Sequence, residues 1–78
     1  MYMEGKDMNI NILTPRELEV MGLLIQGFHN PEISRRLCIS EHTTKAHISS
    51  IYEKLKVSNR VQAIVKYIKE NFENIDKL

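Results

Sequence analysis

Between Asn30 and Arg60 the chain carries a dense set of hydroxyl, amide, imidazole and cationic side chains. These groups suit hydrogen bonding to a polyanion better than bond making. Ser40 and Thr43 put hydroxyls at the expected start of a helix, where free backbone N–H groups already favour an anion. Lys45 can donate to guanine O6 or N7, Ala46 can meet a thymine methyl, and Ser49 can bond to several bases and so discriminates weakly. We expect base contacts from Lys45, Ala46, Ser49 and His42. Phosphate contacts are expected from Ser40, Thr43, His47, Arg36, Lys54, Lys56, Arg60 and Asn30, with Arg35 adding charge beside them.

Catalysis finds little support. His29, His42 and His47 do not stand at a metal-binding spacing with carboxylates or thiols, and Cys38 has no local base. There is no glycine-rich phosphate loop. The expectation is a protein that is not an enzyme and uses no cofactor or metal. With one cysteine there is no intramolecular disulfide, which fits a reducing, cytoplasmic home. No apolar run approaches the roughly 20 residues that span a bilayer, so no membrane role is expected.

These side chains must be positioned by short helices. Thr14, Pro15 and Glu17 form a start signal with a capping box, Leu13 and Leu18 stand where a hydrophobic staple would join them, and Gly27 supplies a stop. The first helix is thus predicted over Pro15 to Gln26. Asn30 before Pro31 repeats the start signal for a second helix from Pro31 to Leu37. Ser40 caps a third helix, about 41–55, whose Thr44, Ile48, Ile51 and Leu55 make one inward face. Asn59 and Gln62 form a further capping pair, and Val61, Val65, Ile68 and Phe72 make the stripe of a fourth helix. Beside that stripe runs a second apolar edge, Ile64 and Tyr67, which packs either on the first helix or on a partner.

No segment alternates like a strand. The fold class is all-α, a compact four-helix domain containing a helix-turn-helix, because only Cys38 and Ile39 lie between the second helix and Ser40. Residues 1–11 read as a flexible arm or linker remnant, 12–72 as the domain and 73–78 as a frayed tail. On the third helix, His42, Ala46, Ser49 and Glu53 point outward, with Lys45 on one flank and Thr43, His47 and Ser50 on the other. The start of such a helix enters the major groove deepest, so Glu53 is expected beyond the groove.

Net charge alone decides nothing, since 11 basic residues face 10 acidic ones. Its distribution does more. Residues 29–62 hold six basic against three acidic residues, whereas residues 1–28 hold two against four. A net charge of +3 over the middle segment implies salt-sensitive but modest binding by a single copy.

The ordered runs Leu13-Thr14-Pro15-Arg16-Glu17-Leu18-Glu19-Val20, Gln26-Gly27, Asn30-Pro31-Glu32-Ile33, Ile39 to Ile48 and Leu55 to Ala63 resemble the LuxR/GerE-type helix-turn-helix family over about residues 12–70. The resemblance implies a bacterial transcription-regulator domain that binds two-fold symmetric double-stranded DNA as a homodimer, with RNA polymerase a candidate partner. It is commonly the output domain of NarL/FixJ-type response regulators, and stand-alone GerE-like regulators also carry it. Lys45, Ala46 and Ser49 match the family's base-reading positions. The implied dimer contact runs through the fourth helix, near Arg60, Ala63, Ile64 and Tyr67. Three residues depart from the pattern: Cys38 and Lys56 stand where glycine is frequent, and Thr44 where valine is usual. The competing reading is a helical protein-interaction module without sequence-specific DNA binding.

Overall fold

The computed structural model describes residues 12–76, with side chains described as far as Asn71. Four helices follow one another: α1 (Pro15–Ile25), α2 (Asn30–Leu37), α3 (Glu41–Leu55) and α4 (Arg60–Asp76). There is no strand among the described residues, and the helix-turn-helix is α2–α3.

At the start of α1 the capping box forms in full. The Glu17 N–H donates to Thr14 Oγ1 at 3.1 Å, and the Thr14 N–H donates to Glu17 Oε1 at 2.9 Å. Leu13 is buried in the core, while Leu18 is 37% exposed and stands outside it. At α2 the cap lies one residue earlier than the sequence suggests. His29 is the N-cap and makes no side-chain capping bond, and Asn30 is already helical. The Asn30 side-chain Oδ1, which would have capped the helix, instead accepts from Arg60 Nη2 at 3.2 Å.

Three helices close the same way. Past α1, Gly27 has φ 95°; past α2, Cys38 has φ 58°; past α3, Lys56 has φ 60°. In each case the N–H of the following residue reaches back to a last-turn carbonyl: Phe28 to Leu23 at 3.1 Å, Ile39 to Ser34 at 3.0 Å and Val57 to Tyr52 at 2.9 Å. Cys38 and Lys56 therefore occupy a left-handed conformation that costs a residue with a Cβ roughly 1–2 kcal/mol. Burial offsets it, since Val57 packs against the core.

The core draws Leu13, Val20, Met21 and Leu24 from α1 and the segment before it, Ile33 from α2, Ile48, Ile51 and Leu55 from α3 and Ala63 from α4. Thr44 is also fully buried. Its hydroxyl donates to the Ser40 carbonyl at 3.1 Å and meets Ser34 Oγ at 2.7 Å, and Ser34 Oγ donates to the Asn30 carbonyl at 2.8 Å. Two hydroxyl protons serve these three contacts, so two are made at a time. The polar pair ties α2 to α3 without leaving a buried hydroxyl unpaired.

The orientation of α4 corrects the sequence reading. Val61, Val65 and Ile68, expected on the core side, are exposed at 69%, 56% and 37%. The second row turns inward: Ala63 is fully buried, and Ile64 and Tyr67 pack against the core, one of the two placements the sequence leaves open for that edge, with Arg60 half-buried beside them. Arg60 fixes this rotation by donating from Nη1 to the Phe28 carbonyl at 3.1 Å as well as to Asn30. Ala63, having the smallest apolar side chain, lets the helix approach closely. The Phe72 side chain lies outside the described residues, as do the arm 1–11 and residues 77–78. The helix itself runs on to Asp76, past the boundary expected at residue 72.

Candidate nucleic-acid interface

The outward face of α3 follows from its inward one. With Thr44, Ile48, Ile51 and Leu55 buried, His42, Lys45, Ala46, Ser49 and Glu53 are exposed, and Thr43, His47 and Ser50 are half-buried. A strip of cationic, small and hydroxyl side chains thus fronts solvent from the first turn onward. At its head, Ser40 Oγ accepts the Thr43 N–H and donates to Thr43 Oγ1, both at 2.9 Å. Ser40 is a true N-cap, and the Thr43 hydroxyl keeps its own proton to give to an anion.

What holds this strip in place lies behind it. The Glu17 carboxylate of α1 is almost wholly buried and accepts from Lys54 Nζ through Oε1 at 2.8 Å and from Ser50 Oγ through Oε2 at 2.7 Å. Burial alone would raise its pKa. The Lys54 ammonium, the Thr14 N–H and the Ser50 hydroxyl outweigh burial and lower it from the ordinary 4.5 to about 2. Sequence reasoning gave Glu17 only its capping role. The bonds to Ser50 and Lys54 span 33 and 37 residues, a separation at which local spacing carries no signal.

The other expected phosphate contacts divide into two groups. Arg36 stays exposed, its guanidinium carbon 4.1 Å from the centre of the Phe28 ring, and Lys56 is exposed at the end of α3. Lys54, Arg60 and Asn30 are engaged within the chain: Lys54 with Glu17, Arg60 and Asn30 with each other. The Lys54 charge is matched by a carboxylate outside residues 29–62, so the excess positive charge available to a polyanion is smaller than the sequence count. Among the described residues no three His, Cys, Asp or Glu side chains gather as a metal site would require. No helix among them is long and apolar enough to cross a membrane.

This arrangement can be compared with known proteins. A family model described as bacterial regulatory proteins, luxR family, matches residues 11–67. The chain is 44% identical over 63 residues to the transcriptional regulatory protein DegU of Brevibacillus brevis, covering 81% of this chain and 27% of that protein. It is 44% identical over 57 residues to the nitrate/nitrite response regulator protein NarL of Escherichia coli K12, 73% of this chain and 26% of that one. With the HTH-type transcriptional regulator MalT of Vibrio campbellii it shares 45% identity over 53 residues, 68% of this chain and 6% of that one. The chain thus spans about a quarter of the length of the first two relatives.

Proposed function

Because the chain belongs to the luxR family of bacterial regulatory proteins and is a DNA-binding helix-turn-helix domain of transcription regulators, we propose that it reads two-fold symmetric promoter DNA as a homodimer with α3 in the major groove. The observation that carries this reading is the exposed row of His42, Lys45, Ala46 and Ser49 in the first half of a helix whose opposite face is core. Lys45, Ala46 and Ser49 contact base edges; Ser40, Thr43, His47, Arg36 and Lys56 contact phosphates. Similarity to a nitrate/nitrite response regulator supports a role as the output domain of a two-component regulator acting in the cytoplasm.

The test is selection of random duplex DNA by the purified protein at two salt concentrations. A two-fold symmetric motif is expected. Lys45→Ala should weaken the selected site by about 1–3 kcal/mol and relax preference at one base pair. Retention without any motif would reduce the role to phosphate binding, and no retention at low salt would favour a protein-interaction module.

The dimer contact in this proposal is the Val61, Val65 and Ile68 stripe, since Ala63, Ile64 and Tyr67 serve the monomer's own core. Together with Val57 and Gln62, two of these valines line an open groove edged by Lys66 and Lys69. A stripe this short buries too little area for a strong dimer in solution, and DNA supplies the rest by holding two copies side by side. Val65→Glu, at a position 56% exposed, should leave folding and half-site binding intact. Affinity for a paired site should fall at least about tenfold, because linked half-sites gain on the order of 10²–10⁴ from simultaneous engagement. Unchanged stoichiometry and affinity on a paired site would rule the stripe out.

A further inference from the structure

Glu53 is hard to account for by folding. It is exposed on the same face as Lys45 and Ser49, at successive spacings of four residues. Lying in the last turn of α3, its carboxylate meets the negative end of the helix dipole, which disfavours an acid there. Among the described residues the ion pairs are Arg16 with Glu19 and Lys54 with Glu17, so Glu53 has no cation within 4.0 Å. The adjacent Lys54 points to another face of the helix, as i,i+1 residues do, and its ammonium is held by Glu17 at 2.8 Å. Glu41, the other acid on this face, differs: it sits in the first turn, where the dipole favours it, one turn before Lys45. Residues that break a local rule without a compensating contact are expected at functional or strained positions.

Resting on the DNA-reading proposal above, we infer that Glu53 sets specificity by repulsion, pushing the end of α3 away from the phosphate backbone. Glu53 lies about 12 Å along the axis from Lys45, at 1.5 Å per residue. When base contacts lock the first half of α3 in the groove, its last turn is leaving the groove and the carboxylate stands clear of the phosphates. On random DNA no base contact fixes the helix, and binding rests almost wholly on phosphate neutralisation. Every pose that lays the whole of α3 along the backbone then brings a carboxylate against phosphate. Repulsion falls mainly on the wrong complexes, which is how an unfavourable group raises specificity.

The test measures affinity of the protein and of Glu53→Gln for the selected duplex and for random duplex, between about 50 mM and 200 mM salt. On random duplex the variant should bind up to about eightfold more tightly at 0.1 M salt, the factor that one further displaced counterion gives between 1 M and 0.1 M. Its salt slope there should steepen by up to about 0.9. The selected duplex should gain less, so the ratio of the two affinities falls, and the melting temperature should hold or rise. Glu41→Gln is the control, with a smaller effect on random duplex and a lower melting temperature. Equal gains on both duplexes, or none, overturn the inference; so does weaker binding of the selected site with altered base preference, which would make Glu53 a base acceptor. Failure of the unaltered protein to bind either duplex would overturn the DNA reading itself.

Discussion

Glu17→Gln is expected to destabilise the domain by about 2–3 kcal/mol at neutral pH and by almost nothing near pH 2. Glutamine can still accept the Thr14 N–H, so the substitution keeps the cap and removes the charge. The size follows from the lowering of the Glu17 pKa from 4.5 to about 2, roughly 3 kcal/mol at 1.36 kcal/mol per unit. A modest discount applies because the Lys54 side chain is 31% exposed. The sign is that of a depressed carboxylate. The stabilisation is complete above the unfolded value of about 4.5, and it is lost as pH falls through the folded value of about 2. Urea unfolding of both proteins at pH 7, 4 and 2.5 checks this: the gap between them should close as the acid in the unaltered protein becomes protonated. A gap that stays constant with pH would mean that the carboxylate acts by packing alone. For a domain whose total stability is of order 3–10 kcal/mol, the loss at pH 7 is a large share.

That network also marks the limit of what the sequence could reveal. The capping residues Thr14, Ser40 and Glu17 write their roles within four residues, so the starts of α1 and α3 and the inward face of α3 are legible directly. Asn30 is the instructive near miss. Its spacing to Pro31 suits a cap, yet a guanidinium 30 residues away takes its side-chain oxygen. The face of α4 fails for a related reason. Both of its apolar rows have helical spacing, and periodicity cannot rank them; the choice falls to the small Ala63 and to the reach of Arg60 towards the loop after α1. The row of Val61, Val65, Ile68 and Phe72 extends over more positions than Ile64 and Tyr67, which made it look like the stronger core stripe. In the site, the exposed row of α3 could be inferred because it is the complement of a core face, whereas the internal engagement of Lys54 and Arg60 depends on tertiary contacts. The Thr44 hydroxyl raised a question that only its partner Ser34 answers.

Ile51→Ala should separate folding from recognition most sharply when measured beside Lys45→Ala. Ile51 is fully buried in the helix that packs on all three others, so its truncation leaves a cavity in the core. Isoleucine-to-alanine changes at such sites cost about 2–5 kcal/mol. At about 4–8 °C per kcal/mol for a domain of this size, the melting temperature should fall by roughly 8–40 °C. Lys45 is exposed, and Lys45→Ala should leave the melting temperature almost unchanged. Addition of the selected duplex should reverse the contrast. A ligand that binds only the folded state adds RT ln(1 + [L]/Kd), about 2.7 kcal/mol at one hundred times Kd. The folded fraction of Ile51→Ala presents an intact outward face and should gain that increment, whereas Lys45→Ala should gain much less at the same DNA concentration. If Ile51→Ala remained folded at low temperature yet showed no DNA-induced stabilisation, the cavity would have shifted α3 itself. The seating of the helix on its core would then control recognition as directly as the side chains that face the groove.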